Sequence, residues 1–241
     1  MKFKQLTDEI IFPPSCYLCS RLLARQGKSH LRYICPQCLS ALPFCSDSNL
    51  LLPADQPALS EGQHSSWNHK PMPVQAVFFY EGVIREIILR LKFSGHTEYS
   101  RLLGSLLGSV MRYRFKKFNL WPAGIIPMPL SNARLMQRGY NQADLLAKYL
   151  SEEIGVEVFP MARRVKETKR QSEMSTREER QSNVHGAFEL DPDFPVDRFH
   201  GKQLILLDDV LTSGSTIQAC AKPLQQAGLN LLGLVAAAAS K

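Results

Sequence analysis

Two adjacent carboxylates, Asp208 and Asp209, close the apolar run Gln203-Leu-Ile-Leu-Leu, and the small residues Thr212-Ser213-Gly214-Ser215-Thr216 follow after Val210 and Leu211. Carboxylates at such a place can accept hydrogen bonds from vicinal hydroxyls of a sugar. A small-residue turn that opens a helix can gather its backbone N–H groups into a concave nest for the phosphate of the same sugar. The Ser and Thr hydroxyls add donors, and Gly214 lacks the Cβ that would hold an anion off the backbone. A plain buried strand, turn and Ser/Thr-capped helix would account for the glycine and the cap. It would not account for two consecutive acids shortly before five small residues, four of them hydroxylated. The glycine–lysine pair of a nucleotide-hydrolysing P-loop is missing, so the turn is not of that type.

The cysteines point to separate chemistry. Five of the six fall within the first 45 residues, and four form two pairs, Cys16-x2-Cys19 and Cys35-x2-Cys38. Each pair can present two thiolates from one knuckle, and two knuckles complete a tetrahedral zinc site. Disulfides are the alternative, and a reducing compartment disfavours them. We expect one structural Zn²⁺, which would supply much of the folding free energy of so small a module. Cys45 has no cysteine partner nearby, and His64 and His69 lie in a Pro/Ser-rich stretch, where histidines are ordinarily solvated. Cys220, in the helix after the hydroxyl-rich turn, reads as a core residue.

Two basic constellations could hold anions. Arg134 and Arg138, at i and i+4, share one face of a helical turn and could clamp a pyrophosphate or a nucleic-acid phosphate. Tyr140 adds a ring for stacking, and Asn141 and Gln142 add amides. A capped surface helix with solvated arginines accounts for these residues equally well. The stretch from Arg163 to Phe188 holds seven basic and four acidic residues, among them Lys169, Arg170 and Arg177. It fits a mobile lid closing on an anionic ligand, or an exposed solvated helix around 175–182.

The elements that must position these groups follow from periodicity. Residues 1–45 form a zinc ribbon, 46–73 a Pro/Ser-rich linker, and 74–241 one α/β domain. Within the last, strands are expected over 74–80, 123–127, 156–159, 187–190, 203–207 and 231–239. Helices are expected over 83–94, 98–117, 138–154 and 215–228, the last kinked at Pro223. Alternation of this kind builds a parallel sheet with helices on both faces, and ligands bind at the carboxyl ends of its strands.

The whole chain sets outer bounds. Its 241 residues are 44% hydrophobic and 21% charged, ordinary for a globular protein, with a net charge of +7. Residues 83–142 alone carry ten Lys/Arg and two Glu, so the excess is concentrated there, which suits a polyanionic partner. The polar start and the absence of a long apolar run predict a cytoplasmic protein without membrane insertion. Gly104-x3-Gly108 reads as ordinary helix packing.

The turn at Asp208 to Thr216 resembles the phosphoribosyl-pyrophosphate (PRPP) loop of the type I phosphoribosyltransferases. With the paired cysteines, Leu91-Lys92-Phe93, Arg138-Gly-Tyr-Asn-Gln142, Gln171-Ser172 and Asn183-Val-x-Gly-Ala-Phe188, it makes the chain similar to the ComF family of competence and DNA-utilisation proteins. The resemblance implies a phosphoribosyltransferase-like fold behind the zinc ribbon. Asp208 and Asp209 would hold the ribose hydroxyls of PRPP, and Thr212, Ser213, Gly214, Ser215 and Thr216 its 5′-phosphate. Arg134 and Arg138 would face the pyrophosphate, bridged by Mg²⁺. It also implies handling of single-stranded DNA during uptake or utilisation, with other DNA-uptake proteins as partners. Lys92, Tyr140, Asn141, Gln142, Lys169, Arg170 and Arg177 are then candidate lid or nucleic-acid contacts. The alternatives are an active transferase acting on an unidentified acceptor, or a ribbon that docks protein alone. The family often carries two zinc ribbons, of which only Cys45 remains for the second.

Overall fold

The computed structural model describes residues 14–23, 33–45, 72–167 and 183–239. Most of the expected linker lies outside the described residues, as do His64, His69, Lys169, Arg170, Arg177 and the helix expected around 175–182.

Four parallel strands form the central sheet: β1 (Val74–Phe79), β2 (Gly124–Pro127), β5 (Gln203–Leu211) and β6 (Asn230–Ala238), in the order β1-β6-β5-β2. The strands β5 and β6 read as nearly unbroken apolar runs, as strands covered on both faces do. Alternate residues serve opposite faces. Ile205, Leu207 and Leu234 enter one core with α2 (Gly82–Phe93), α3 (Glu98–Phe118) and α5 (Gln142–Ile154). Leu204, Leu206 and Val235 enter the other, with α6 (Ser215–Gln226) and an antiparallel ribbon of β3 (Ala162–Arg164) and β4 (Phe188–Leu190). The α/β architecture with helices on both faces is therefore the one the periodicity implies.

The glycines of α3 set its distance from α5. A Cβ on Gly108 would stand 2.2 Å from Glu153 Cβ, and one on Gly104 2.5 Å from Tyr149 Cβ. The backbones approach closely because those side chains are missing, which confirms the packing reading of this pair.

Several boundaries differ from expectation, each for a local reason. The expected helix over 138–154 begins only at Gln142, as α5, because a separate helix, α4 (Asn132–Arg138), precedes it and ends at Gly139 with φ 77°. The expected strand over 156–159 touches β2 only through the bridge Ile125–Val158. Within the polar stretch after 161, β3 forms because Met161 and Ala162 are buried against β4 and α6. Pro223 lies inside α6.

The cysteine module is not a separate bead. Its short helix α1 (Pro36–Ser40) follows Cys35, and Cys16, Ile34, Cys35 and Leu42 belong to the same core as α2 and α3. Its exit pairs with the sheet: Phe44 bridges Phe78, and the Cys45 N–H donates to the Val77 carbonyl at 2.9 Å.

Candidate functional site

The strand β5 outlasts its neighbour. Its pairing with β2 ends at Pro127–Leu207, whereas its pairing with β6 continues to Leu211–Ala238. From Asp208 onward one side of β5 is therefore bare, and a crevice opens there. The connection after β2 runs to α5 on one face, and the connection after β5 runs to α6 on the other. Strands diverging in this way create the usual ligand crevice of a parallel sheet.

The continuation of β5 separates the two acids. Sequence reading ended the strand at 207, which leaves both carboxylates free to meet one sugar. In a strand, successive side chains point to opposite faces. Asp209 is 6% exposed, and its Oδ1 lies 2.8 Å from Lys92 Nζ at the end of α2. Burial alone would push the Lys92 ammonium down, but the carboxylates of Asp209 and Asp208 more than reverse it and raise its pKa.

Asp208 takes the opposite face and is half-buried. It lines a small hollow of about 30 Å³ together with Leu211, Thr212, Gly214 and Thr216. Its Oδ1 accepts the Asp209 N–H at 2.8 Å. Burial, followed by the charge of Asp209, lifts its carboxyl to about 7 against the pull of Lys92 and Arg164.

The hydroxyl-rich turn leads directly into α6. Gly214, at φ 77°, is the N-cap of α6 and has no side chain to offer the first-turn N–H groups. Any other residue would be strained at that angle. The Ser213 and Ser215 hydroxyls satisfy one another at 2.8 Å. The hollow has room for about one water molecule.

The basic residues divide into two groups. Arg164 on β3 feels Asp208 and Arg134, and its pKa is lowered first by burial and then by the Arg134 charge. Glu167 joins them at the rim and accepts the Ala133 N–H of α4 at 3.2 Å. Arg138 turns elsewhere, its guanidinium 5.2 Å from the Phe93 ring centroid. Arg134 and Arg138 lie on the one helix α4, at the spacing the sequence predicts, and Arg164 comes near enough to Arg134 to feel its charge.

Lys92, Tyr140 and Asn141 make contacts within the fold. Tyr140 donates its hydroxyl hydrogen to the Leu91 carbonyl. Asn141 donates to the Met128 carbonyl at 2.9 Å and caps α5 by accepting the Ala143 N–H at 3.1 Å. Gln142 is 2% exposed. Leu91, Lys92 and Phe93 thereby tie the end of α2 to Tyr140, Asp209 and Arg138 in turn. Only the resemblance had marked that tripeptide. The place of Arg164 and the role of Glu167 had no signal beyond their presence in a charged stretch.

The four cysteines converge. All Sγ atoms of Cys16, Cys19, Cys35 and Cys38 lie within 4.8 Å of one another, and Cys19 and Cys35 are 3.7 Å apart. A tetrahedral S₄ site with Zn–S bonds of ~2.3 Å has edges of about 3.8 Å. Burial opposes ionisation of Cys16, but the N–H groups of Cys35, Cys19 and Leu18 outweigh it and bring the thiol to about 6. The Cys38 N–H points to Cys35 Sγ at 3.4 Å. The donor set fits a metal ion such as zinc. Cys45 and Cys220 are buried away from it, and burial raises the pKa of both thiols. Among the described residues no other group of three metal-binding side chains comes together, and no helix is long and apolar enough to cross a membrane.

Known proteins resemble this chain over most of its length. Competence protein F of Haemophilus influenzae is 31% identical over 199 residues, spanning 81% of this chain and 84% of that one. DNA utilization protein YhgH of Salmonella typhi is 32% identical over 228 residues, spanning 90% and 92%. Competence protein ComFC of Bacillus subtilis is 27% identical over 218 residues, spanning 88% and 78%. No family model matches. A phosphoribosyltransferase from Corynebacterium diphtheriae aligns over 61% of this chain and 64% of its own at 20% identity, with a TM-score of 0.33, too slight a likeness to bear on chemistry.

Proposed function

From its membership of the competence protein F and DNA utilization protein family, to which this chain belongs, we propose that the protein binds a ribose 5-phosphate ligand, PRPP foremost, and handles single-stranded DNA. The observation that carries the ligand reading is Asp208 lining one hollow with Thr212, Gly214 and Thr216. A ribose hydroxyl would donate to Asp208 while the 5′-phosphate meets the turn and the N-terminus of α6. Asp209, held by Lys92, sets the charge behind that contact rather than meeting the sugar directly.

Arg134 and Arg164 at the rim suit the pyrophosphate group. Magnesium would arrive with the ligand, held by its phosphates. The four cysteines would hold one zinc ion with a structural role. Glycosyl transfer from PRPP is the second reading. Arg134 and Arg164, near enough for one to feel the other's charge, would serve a leaving pyrophosphate in that reading.

Calorimetry with PRPP and Mg²⁺ tests the site. The wild type should bind, Asp208→Asn should abolish binding, and Gly214→Val should do the same by displacing the turn. Equal affinity in Asp208→Asn removes the assignment. Pyrophosphate release with purine, pyrimidine or amine acceptors then separates the transferase from the binder.

A further inference from the structure

The exposed face of α3 carries a feature that the sugar-phosphate crevice does not use. Its residues Leu106, Val110 and Tyr113 line a groove of about 540 Å³ against Leu39 and Phe44 of the cysteine module and Val77 of β1. The same face continues past the groove, because Lys117 follows Val110 by seven residues and Phe118 follows Arg114 by four. Tyr113 is 65% exposed, Phe118 61% and Trp121 50%. Lys117 Nζ lies 5.9 Å from the Tyr113 ring centroid and 5.5 Å from that of Phe118. Rings thus alternate with cations along the ridge.

Charge selects the occupant. Arg112, Arg114, Lys116 and Lys117 crowd this half of α3, and no acidic residue occurs between Glu98 and Asp144 in sequence. Glu153 meets Arg112 at 3.7 Å from the neighbouring helix, on the packed side. An apolar partner protein would leave Lys116 and Lys117 without counter-charges, and a duplex would leave the rings without bases to stack on. A single strand satisfies both, through phosphates on the cations and bases on the rings.

We propose that single-stranded nucleic acid runs along this ridge, from the groove at Phe44 and Tyr113 across Lys117 to Phe118 and Trp121. This rests on the DNA-handling half of the proposed function and adds the surface that performs it. The track is separate from the sugar-phosphate crevice. Trp121 precedes the amino end of β2, whereas Asp208 lies beyond its carboxyl end.

Fluorescence anisotropy with labelled oligo-dT long enough for a site of ~16 nucleotides tests it. The wild type binds at about 50 mM salt and loses affinity steeply by about 200 mM. Tyr113→Ala/Phe118→Ala weakens binding at least about tenfold, and Lys116→Glu/Lys117→Glu weakens it comparably. Both variants change exposed side chains and keep the wild-type thermal midpoint and PRPP titration. Wild-type binding with unchanged affinity in both variants overturns the track and leaves the DNA-handling reading standing. No wild-type binding at low salt overturns both. Sedimentation with phosphatidylglycerol vesicles that is lost in the variants, while oligo-dT binding persists, assigns the ridge to a membrane surface and overturns the nucleic-acid occupant.

Discussion

Lys92 at the end of α2 and Asp209 in β5, 117 positions apart in sequence, meet at 2.8 Å with side chains 21% and 9% exposed. The contact fixes a helix terminus to the strand that carries the hydroxyl-rich turn. It also divides labour within the acidic pair, since the neighbouring Asp208 faces the other side of the sheet.

Removing one partner of a buried ion pair leaves the other charge desolvated and unopposed. Lys92→Met should therefore destabilise the fold by about 3 kcal/mol, read as a lower urea midpoint. Lys92→Met/Asp209→Asn should recover part of that loss, because neither charge is then stranded. A double variant whose loss equals the sum of the singles would show that the two residues do not act as a pair.

Asp208 titrates at about 7 in the folded chain, against 3.8 for an unperturbed carboxyl. Its folded pKa is raised, so the protonated form favours the native state. That contribution is complete below about pH 4 and is lost as pH rises through about 7. Thermal midpoints measured across this window should fall more steeply with pH in the wild type than in Asp208→Asn. Parallel curves would place the titration elsewhere.

Cys16 and Cys35 belong at once to the four-thiol cluster and to the core shared with α2 and α3. Metal analysis after reducing purification should return one zinc per chain. Chelation, or Cys35→Ser, should lower the thermal midpoint of the whole chain rather than melt a detached module. A metal-free protein with an unchanged midpoint would contradict this.

Much of the architecture was legible because local pattern and tertiary context agree. Helical spacing gave α2 and α3 to within a residue or two, and two cysteine pairs, each three positions apart, gave the thiol cluster. The turn before α6 was legible because hydroxylated residues around Gly214 have few other uses. The extent of β5 was not. Asp208 and Asp209 look like a strand terminus, yet pairing with β6 carries the strand on to Leu211. With that extension the opposite orientation of the acids follows, and no local signal reveals it. That Arg164, from a distant strand, comes near enough to feel the charge of Arg134 has no local signal either. Tyr140 and Asn141 donate to the carbonyls of Leu91 and Met128, contacts that only the folded chain creates.

The bond from Cys45 to Val77 and the bridge from Phe44 to Phe78 have a bearing on solubility. β1 is an outermost strand, and its free peptide groups would otherwise be a template on which another molecule could extend the sheet. The cysteine module shields part of that border. Opening of the four-thiol cluster would then bare that border and invite self-association of the protein.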